Sequence, residues 1–500
     1  MKIRLLLFFF LSAVTLSGYS AEINHGVKIG KALKPRANMS TTVTIGASTT
    51  VVGGSAYPNL TQAIADLASA YTLTSGTTTF YLAAGYPATA EPASISLTSA
   101  IGTSSSKLLV IKPAAGVTTS ITGSRGAGLA IIKMVGVTYV TIDGSNTVGG
   151  TSTNLTISNT SSSATSGVVW LGAGCANNTI KNCILTGSGT SSTLAGIGNG
   201  STTLAAHDKT GAAAAGNSNN SNTFQNNTIS GCQVGIYSAG NSTASKNSGN
   251  TITGNTITSA AFAGIYAYWE SGLTVSNNSV TGVAVSGDAA GIALGCVALT
   301  TGTVSASNGG DVIGSTVNGN RIGTVVGTGG FSSAGIYISY TATGTNNVVN
   351  NSVYGVGATG TTPDFSAGIF VSGSVGTNNV YYNSVYMNGT ATGSMPTFAF
   401  AVGASNAQTL NLKDNVFQNS LTGGTSTPYA IGAGMSSFTG YTADYNDLYS
   451  AGNLGMTGGL ASGTAKAAIS NWTTTTAEGS HSISADPQFI STANLQLNVG

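Results

Sequence analysis

Ionisable side chains are scarce in this chain, so those that could do chemistry can be named one by one. Between Asn182 and Lys413 the basic residues are His207, Lys209, Lys246 and Arg321, and the acidic ones are Asp208, Glu270, Asp288, Asp311 and Asp364. A polysaccharide lyase needs a base to abstract a proton and carboxylates to hold Ca²⁺ against an acidic substrate. Arg321 lies between Asn320 and Ile322, both inward-facing by pattern, so it points outward as such a base would. A solvated arginine is the plainer account of the same position. A glycoside hydrolase instead needs two carboxylates about 5 to 10 Å apart. Asp414 and Asp447, with Asp444 close by, form the best cluster for that role, although turn duty explains them equally. His207-Asp208-Lys209 is a dense triplet in an Ala/Gly-rich stretch with no identifiable nucleophile. Asn308-Gly309-Gly310-Asp311 has the look of a Gly/Asp calcium turn; Ca²⁺ is the only cofactor the sequence suggests, and no metal site is assigned.

Aromatic residues offer a different chemistry. Tyr237, Tyr266, Tyr337 and Phe370 share one position in a recurring Gly-Ile-aromatic segment, while Tyr354, Tyr386, Phe417 and Tyr449 follow a recurring Asn-x-apolar segment. Rows of flat rings on an outer face could stack on sugar rings. Mutual packing under loops is the competing account.

These residues need elements that present them at a fixed interval. Asn320, Asn351, Asn383, Asn415 and Asn446 lie 31, 32, 32 and 31 residues apart, each followed after one residue by an apolar side chain. Such a period means one supersecondary unit stacked on its own copies. The same motif begins earlier at Asn182, Asn227, Asn255 and Asn278, at intervals of 45, 28, 23 and 42 residues. Thr203 to Ser221 and Thr300 to Gly314 read as loops thrown out of the longer intervals. The motif alternates with Val234-Gly235-Ile236-Tyr237 and its relatives, so each coil holds at least two strands, with Ile inward and the aromatic outward. The asparagines Asn227, Asn255, Asn278, Asn320, Asn351, Asn383, Asn415 and Asn446 are expected to form a ladder, each amide bonding to the next coil. Thr251-Ile252-Thr253 and Thr256-Ile257-Thr258 invite an ice-binding reading, against which the uneven spacing argues.

Composition agrees with an all-β solenoid: 70 glycines, 9 prolines and 6% charged residues suit short strands and tight turns. Met1 to Ser20 has the layout of a secretory signal, with Lys2 and Arg4, an apolar run from Leu5 to Val14 and small residues at Gly18-Tyr19-Ser20. Its removal leaves 16 − 2 = 14 basic residues against 14 acidic ones. A neutral chain lacks the positive field that nucleic acid or an anionic membrane requires. No later stretch approaches the length of a membrane helix. Four cysteines are no disulfide framework, and Cys183–Cys232 is the one pair worth testing. Domain boundaries follow: signal 1–20, lead-in 21–55, N-terminal cap and first coils 56–135, repeats 136–450, terminal coils 451–500. The cap contains an amphipathic helix over Tyr57 to Leu67, with Leu60, Ile64 and Leu67 at helical spacing.

The cap segment, Tyr139-Val140-Thr141-Ile142-Asp143-Gly144-Ser145-Asn146, the two strand motifs and the ending Asp486-Pro487-Gln488-Phe489 resemble the right-handed parallel β-helix proteins of the pectate-lyase-like superfamily. The likeness is greatest to large exported proteins of Bacteroidetes-type bacteria. The resemblance implies the fold and leaves activity open, since the superfamily holds lyases, hydrolases, epimerases, adhesins and passive stalks. It also implies that such chains often continue past the Asp-Pro-x-Phe segment, so this one reads as a fragment or an atypical member. The expectation is a secreted or cell-surface, adhesin-like scaffold contacting a polysaccharide or host glycan through its aromatic rows. A lyase or hydrolase of the same fold is the alternative, and an ice-binding protein a lesser one.

Overall fold

Short strands of β-branched and apolar residues, interrupted by Gly and Asn, cannot bury a face alone, and here each coil lays its strands directly on those of the coil before it. The computed structural model describes residues 35–202, 218–296, 310–328, 333–339, 344–359, 366–372, 376–404 and 408–498. The predicted signal, His207-Asp208-Lys209, Asp364, most of the two predicted loops, and Asn308 and Gly309 of the calcium-like turn lie outside them. Ala37–Gly500 forms one unit and Met1–Arg36 another.

The fold is a right-handed parallel β-helix with an N-terminal cap helix. Each coil contributes to three strand columns, taken in chain order. Thr223–Gln225 lies in the first, and the long strand Thr228–Ala239 runs through the second and third. Column one is a continuous 14-stranded sheet, and the other two merge into a 22-stranded one. Register is strict. In column one Ile180, Phe224, Ile252, Val275, Val317, Val348, Val380 and Leu412 stack coil on coil. In column two Ile229, Ile257, Val280, Ile322, Val353, Val385, Phe417 and Leu448 do the same. All of these are buried in one continuous apolar core. The unequal coil lengths are absorbed in the connections from column two to column three and from column three to the next column one, so the inward positions of each column stay in register.

Both ends of the core are closed. Helix α1 (Leu60–Ser69) buries Leu60, Ala63, Ile64 and Leu67, as the spacing predicts. Asn59 caps it by accepting from Gln62 N at 3.0 Å, and the Glu91 carboxylate accepts from Leu60 N at 2.7 Å and Thr61 N at 3.0 Å. Coiling starts earlier than the predicted cap boundary, because Thr42–Ile45 pairs with Thr79–Leu82 in the first column. At the other end, α2 (Ile469–Thr476) places Trp472 against Gly455, in register with the inward position of column three. Ile469–Thr476 lies in the expected terminal coils, and this second plug was not foreseen there. Exposed strand ends would otherwise template pairing with another chain.

Among the described residues all four cysteines are free and buried, so Cys183 and Cys232 are not bridged. No helix among these residues is long and apolar enough to cross a membrane.

Candidate functional site: an outer corner and the segment lying on it

The residue before each ladder asparagine turns the chain sharply from column one into column two. Asn226, Gly254, Asn277, Gly319, Asn350, Tyr382, Asp414 and Tyr445 all sit there with φ between 51° and 67°. Gly, Asn and Asp tolerate this left-handed conformation, whereas Tyr holds it at a cost. The turn throws its side chain away from the core, leaving Tyr382 60% and Tyr445 55% exposed.

Immediately after it comes the ladder. Asn227, Asn255, Asn278, Asn320, Asn351, Asn383 and Asn415 each donate from Nδ2 to Oδ1 of the next asparagine at 2.9–3.0 Å, ending at Asn446. Cys183 N donates to Asn227 Oδ1, so Cys183 and not Asn182 occupies the ladder position of its coil; Asn182 is the turn residue. A second interior set, Asn178, Asn222 and Asn250, was not foreseen; its intervals of 44 and 28 residues follow those of the first ladder over the same coils.

Both expected aromatic rows need correction. Tyr237, Tyr266, Tyr337 and Phe370 do lie opposite the inward isoleucines, as alternation requires, but none is more than 3% exposed. They form a second apolar core on the outer side of column three. Tyr237 Oη is 2.6 Å from Tyr268 Oη, and the Tyr337 and Phe370 rings stack at 5.3 Å. These rings are structural and offer no platform. In the second row Phe417 registers with Val385 and faces the core, and Gln418 takes the aromatic position between Tyr386 and Tyr449. Tyr354 and Tyr386 are half-buried.

The C-terminal segment partly covers them, running back over column two. Ile483 N donates to Asn446 O, Leu448 N to Ile483 O, and Ala485 N to Asp447 Oδ1, at 2.9–3.0 Å. Further along, the Phe489 ring meets Tyr386 at 5.8 Å, Asn388 Nδ2 donates to Thr492 O, and Arg321 Nη2 donates to Ala493 O, both at 3.2 Å. Arg321 also lies over the Tyr354 ring at 4.8 Å. Between this segment and the turn row runs a groove of about 530 Å³, lined by Arg321, Asn350, Ser352, Tyr382, Asn494 and Gln496 among others, with no acidic side chain.

A second cleft, of about 230 Å³, brings Asp414 and Asp447 together with Tyr445 and His481. His481 was missed because it is far from these residues in sequence. Its ring stacks on Tyr445 at 4.8 Å, and its Nδ1 lies 2.7 Å from Asp444 Oδ2. Burial raises the Asp444 carboxyl, but hydrogen bonds from His481 and Tyr445 outweigh it and hold the group below its ordinary value. Asp447 is pushed up by burial; the bond from Ala485 opposes this and the charge of Asp486 adds to it. Asp311, in the calcium-like turn, is buried and paired to Lys246 at 3.1 Å. No group of three or more His, Cys, Asp or Glu among the described residues could hold a metal ion.

No protein-family model matches the chain, and no curated protein matches it. Solved structures do. The Dettilon tailspike protein is 12% identical with a TM-score of 0.35, over 74% of this chain and 66% of the other. The A-module of the Azotobacter vinelandii mannuronan C-5 epimerase is 11% identical with a TM-score of 0.38, over 86% and 95%. PfbA, a surface adhesin of Streptococcus pneumoniae, is 12% identical with a TM-score of 0.31, over 74% and 87%. This chain thus spans just under two thirds of the tailspike chain. Likeness at this level assigns no activity, substrate or partner.

Proposed function

We propose that the protein is an exported, surface-located β-helix scaffold that holds a polysaccharide along its outer corner and does no chemistry on it. The observation that carries this reading is Tyr382, an exposed ring held in a costly left-handed turn beside a groove of amides, hydroxyls and one guanidinium. Sugar recognition draws on that combination: a flat apolar face with a few placed hydrogen-bonding groups. Tyr445, two coils further along the same row, repeats the ring at about 10 Å, with one of its faces already stacked on His481. A lyase or hydrolase remains the alternative, resting on Asp414 and Asp447 in one cleft. The test is to incubate the purified protein, with and without Ca²⁺, with neutral and acidic polysaccharides, measuring retention by affinity electrophoresis and products by mass spectrometry. Retention without shortened products supports the scaffold, and defined oligosaccharides overturn it.

A second reading, ice binding, gains from the register. Thr179, Thr223, Thr251, Thr274 and Thr316 stack in one outward file of column one, undisturbed by the uneven coil lengths. An ice-shaping assay tests it, and unmodified crystal growth would dismiss it.

A further inference from the structure

We propose that the C-terminal tip, residues 488–498, is a lid on the glycan groove, hinged at Asp486-Pro487 and displaced when a sugar chain binds. This rests on the scaffold reading above.

The segment has two parts held in different ways. Its root, 481–485, is fastened by backbone pairing to Asn446 and Leu448 and by the carboxylates of Asp444 and Asp447. The tip is braced on itself: Ile490 N donates to Gln496 O, Ser491 N to Asn494 O, and Asn498 N to Gln488 O, at 2.9–3.2 Å. A unit braced internally can move as one body, with the dihedral change confined to the few residues between it and its anchor. Asp486 and Gln488, on either side of the buried Pro487, are exposed.

The tip's contacts with the coils are made by side chains. Arg321 and Asn388 donate to the carbonyl oxygens of Ala493 and Thr492, Tyr386 meets Phe489, and Leu495 is buried at the groove wall. A guanidinium, an amide and a ring face are groups a sugar would use. The carbonyl oxygens of Thr492 and Ala493 stand where sugar hydroxyls would accept, and Phe489 covers the ring of Tyr386. A chain that enters the groove and extends under the tip takes over the partners of Arg321, Asn388 and Tyr386, which leaves exposure of Leu495 as the main cost of opening. Ile490 and Leu497 on the tip are 54% and 47% exposed, so the closed position leaves much of the tip's own apolar surface in water.

The test uses the full chain with Asn388→Cys and Thr492→Cys introduced together, compared oxidised and reduced. Binding of a soluble neutral glucan and a soluble polyuronate is measured alongside nitration of Tyr386. Mutation of Asn388 affects both redox states equally, so the comparison isolates the lid; mass mapping verifies the 388–492 bridge and leaves the buried native thiols unbridged. The expected result is that the oxidised form protects Tyr386 and loses binding, and that reduction restores both. In the otherwise native chain, Phe489→Ser should raise Tyr386 nitration and tighten binding. Equal binding by the oxidised and reduced forms would overturn the lid and leave the scaffold reading standing. Redox-dependent nitration with no glycan bound by any form, the native chain included, would overturn the scaffold reading and the lid's role in it.

Discussion

Arg321 and Asp447 stand in one outward file of column two, separated by Ser352, Ser384 and Val416. Four coil heights put them about 19 Å apart, too far to act on one glycosidic bond. Arg321 is further engaged with Tyr354 and Ala493. Arg321→Ala and Asp447→Asn should therefore produce no change in polysaccharide chain length relative to the unmodified protein, measured by mass spectrometry. Cleavage by the parent chain that either change abolishes would contradict this.

The exposed and the buried tyrosines should respond in opposite ways. Tyr382→Ala is expected to weaken polysaccharide retention while leaving the unfolding midpoint nearly unchanged, since the ring lies in solvent. Tyr266→Ala should cost roughly 3 to 5 kcal/mol of stability, because it opens a cavity in the second core. Urea unfolding and affinity electrophoresis on the same samples separate the two effects.

Removing one rung should damage the ladder on both sides. Asn351 accepts from Asn320 N and Nδ2 and donates to Asn383 Oδ1 and Val317 O, all buried. Asn351→Ala strips these partners at once and should destabilise by roughly 2 to 4 kcal/mol. Hydrogen exchange should show the loss concentrated in the coils of Asn320 and Asn383. Uniform loss along the chain would count against local, neighbour-by-neighbour stability.

Glu270 lies wholly inside the coils, accepting from Ser238 Oγ, Asn247 Nδ2 and Asn250 Nδ2. Burial raises its carboxyl from the ordinary 4.5 to about 7, despite these three bonds. The folded state thus holds a proton that the unfolded chain has released, so stability falls as pH rises from about 4.5 to about 7 and stays lower above that. The contribution is about 3 kcal/mol, taking 1.36 kcal/mol per pH unit. Glu270→Gln should flatten the pH dependence of the unfolding midpoint over that window. A slope unchanged by the substitution would assign the effect to other groups.

The sequence by itself determined the solenoid, because a period of 31 to 32 residues and strict alternation are local properties of the chain. The ladder positions from Asn227 to Asn446 and the cap helix followed from the same local rules. Alternation also put Tyr237 and Tyr266 on the side opposite the isoleucines, but it carries no information about what lies over them. Register on neighbouring coils was equally out of reach at Asn182-Cys183, where one residue shifts the frame, whereas Phe417 sits at the inward position that its own Asn-x-apolar motif gives it. Only the tertiary structure decided which rings meet solvent, joined His481 to Asp444 and Asp447, and laid Phe489 on Tyr386. Those contacts link residues far apart in sequence, and they depend on where the chain returns rather than on any repeating pattern within it.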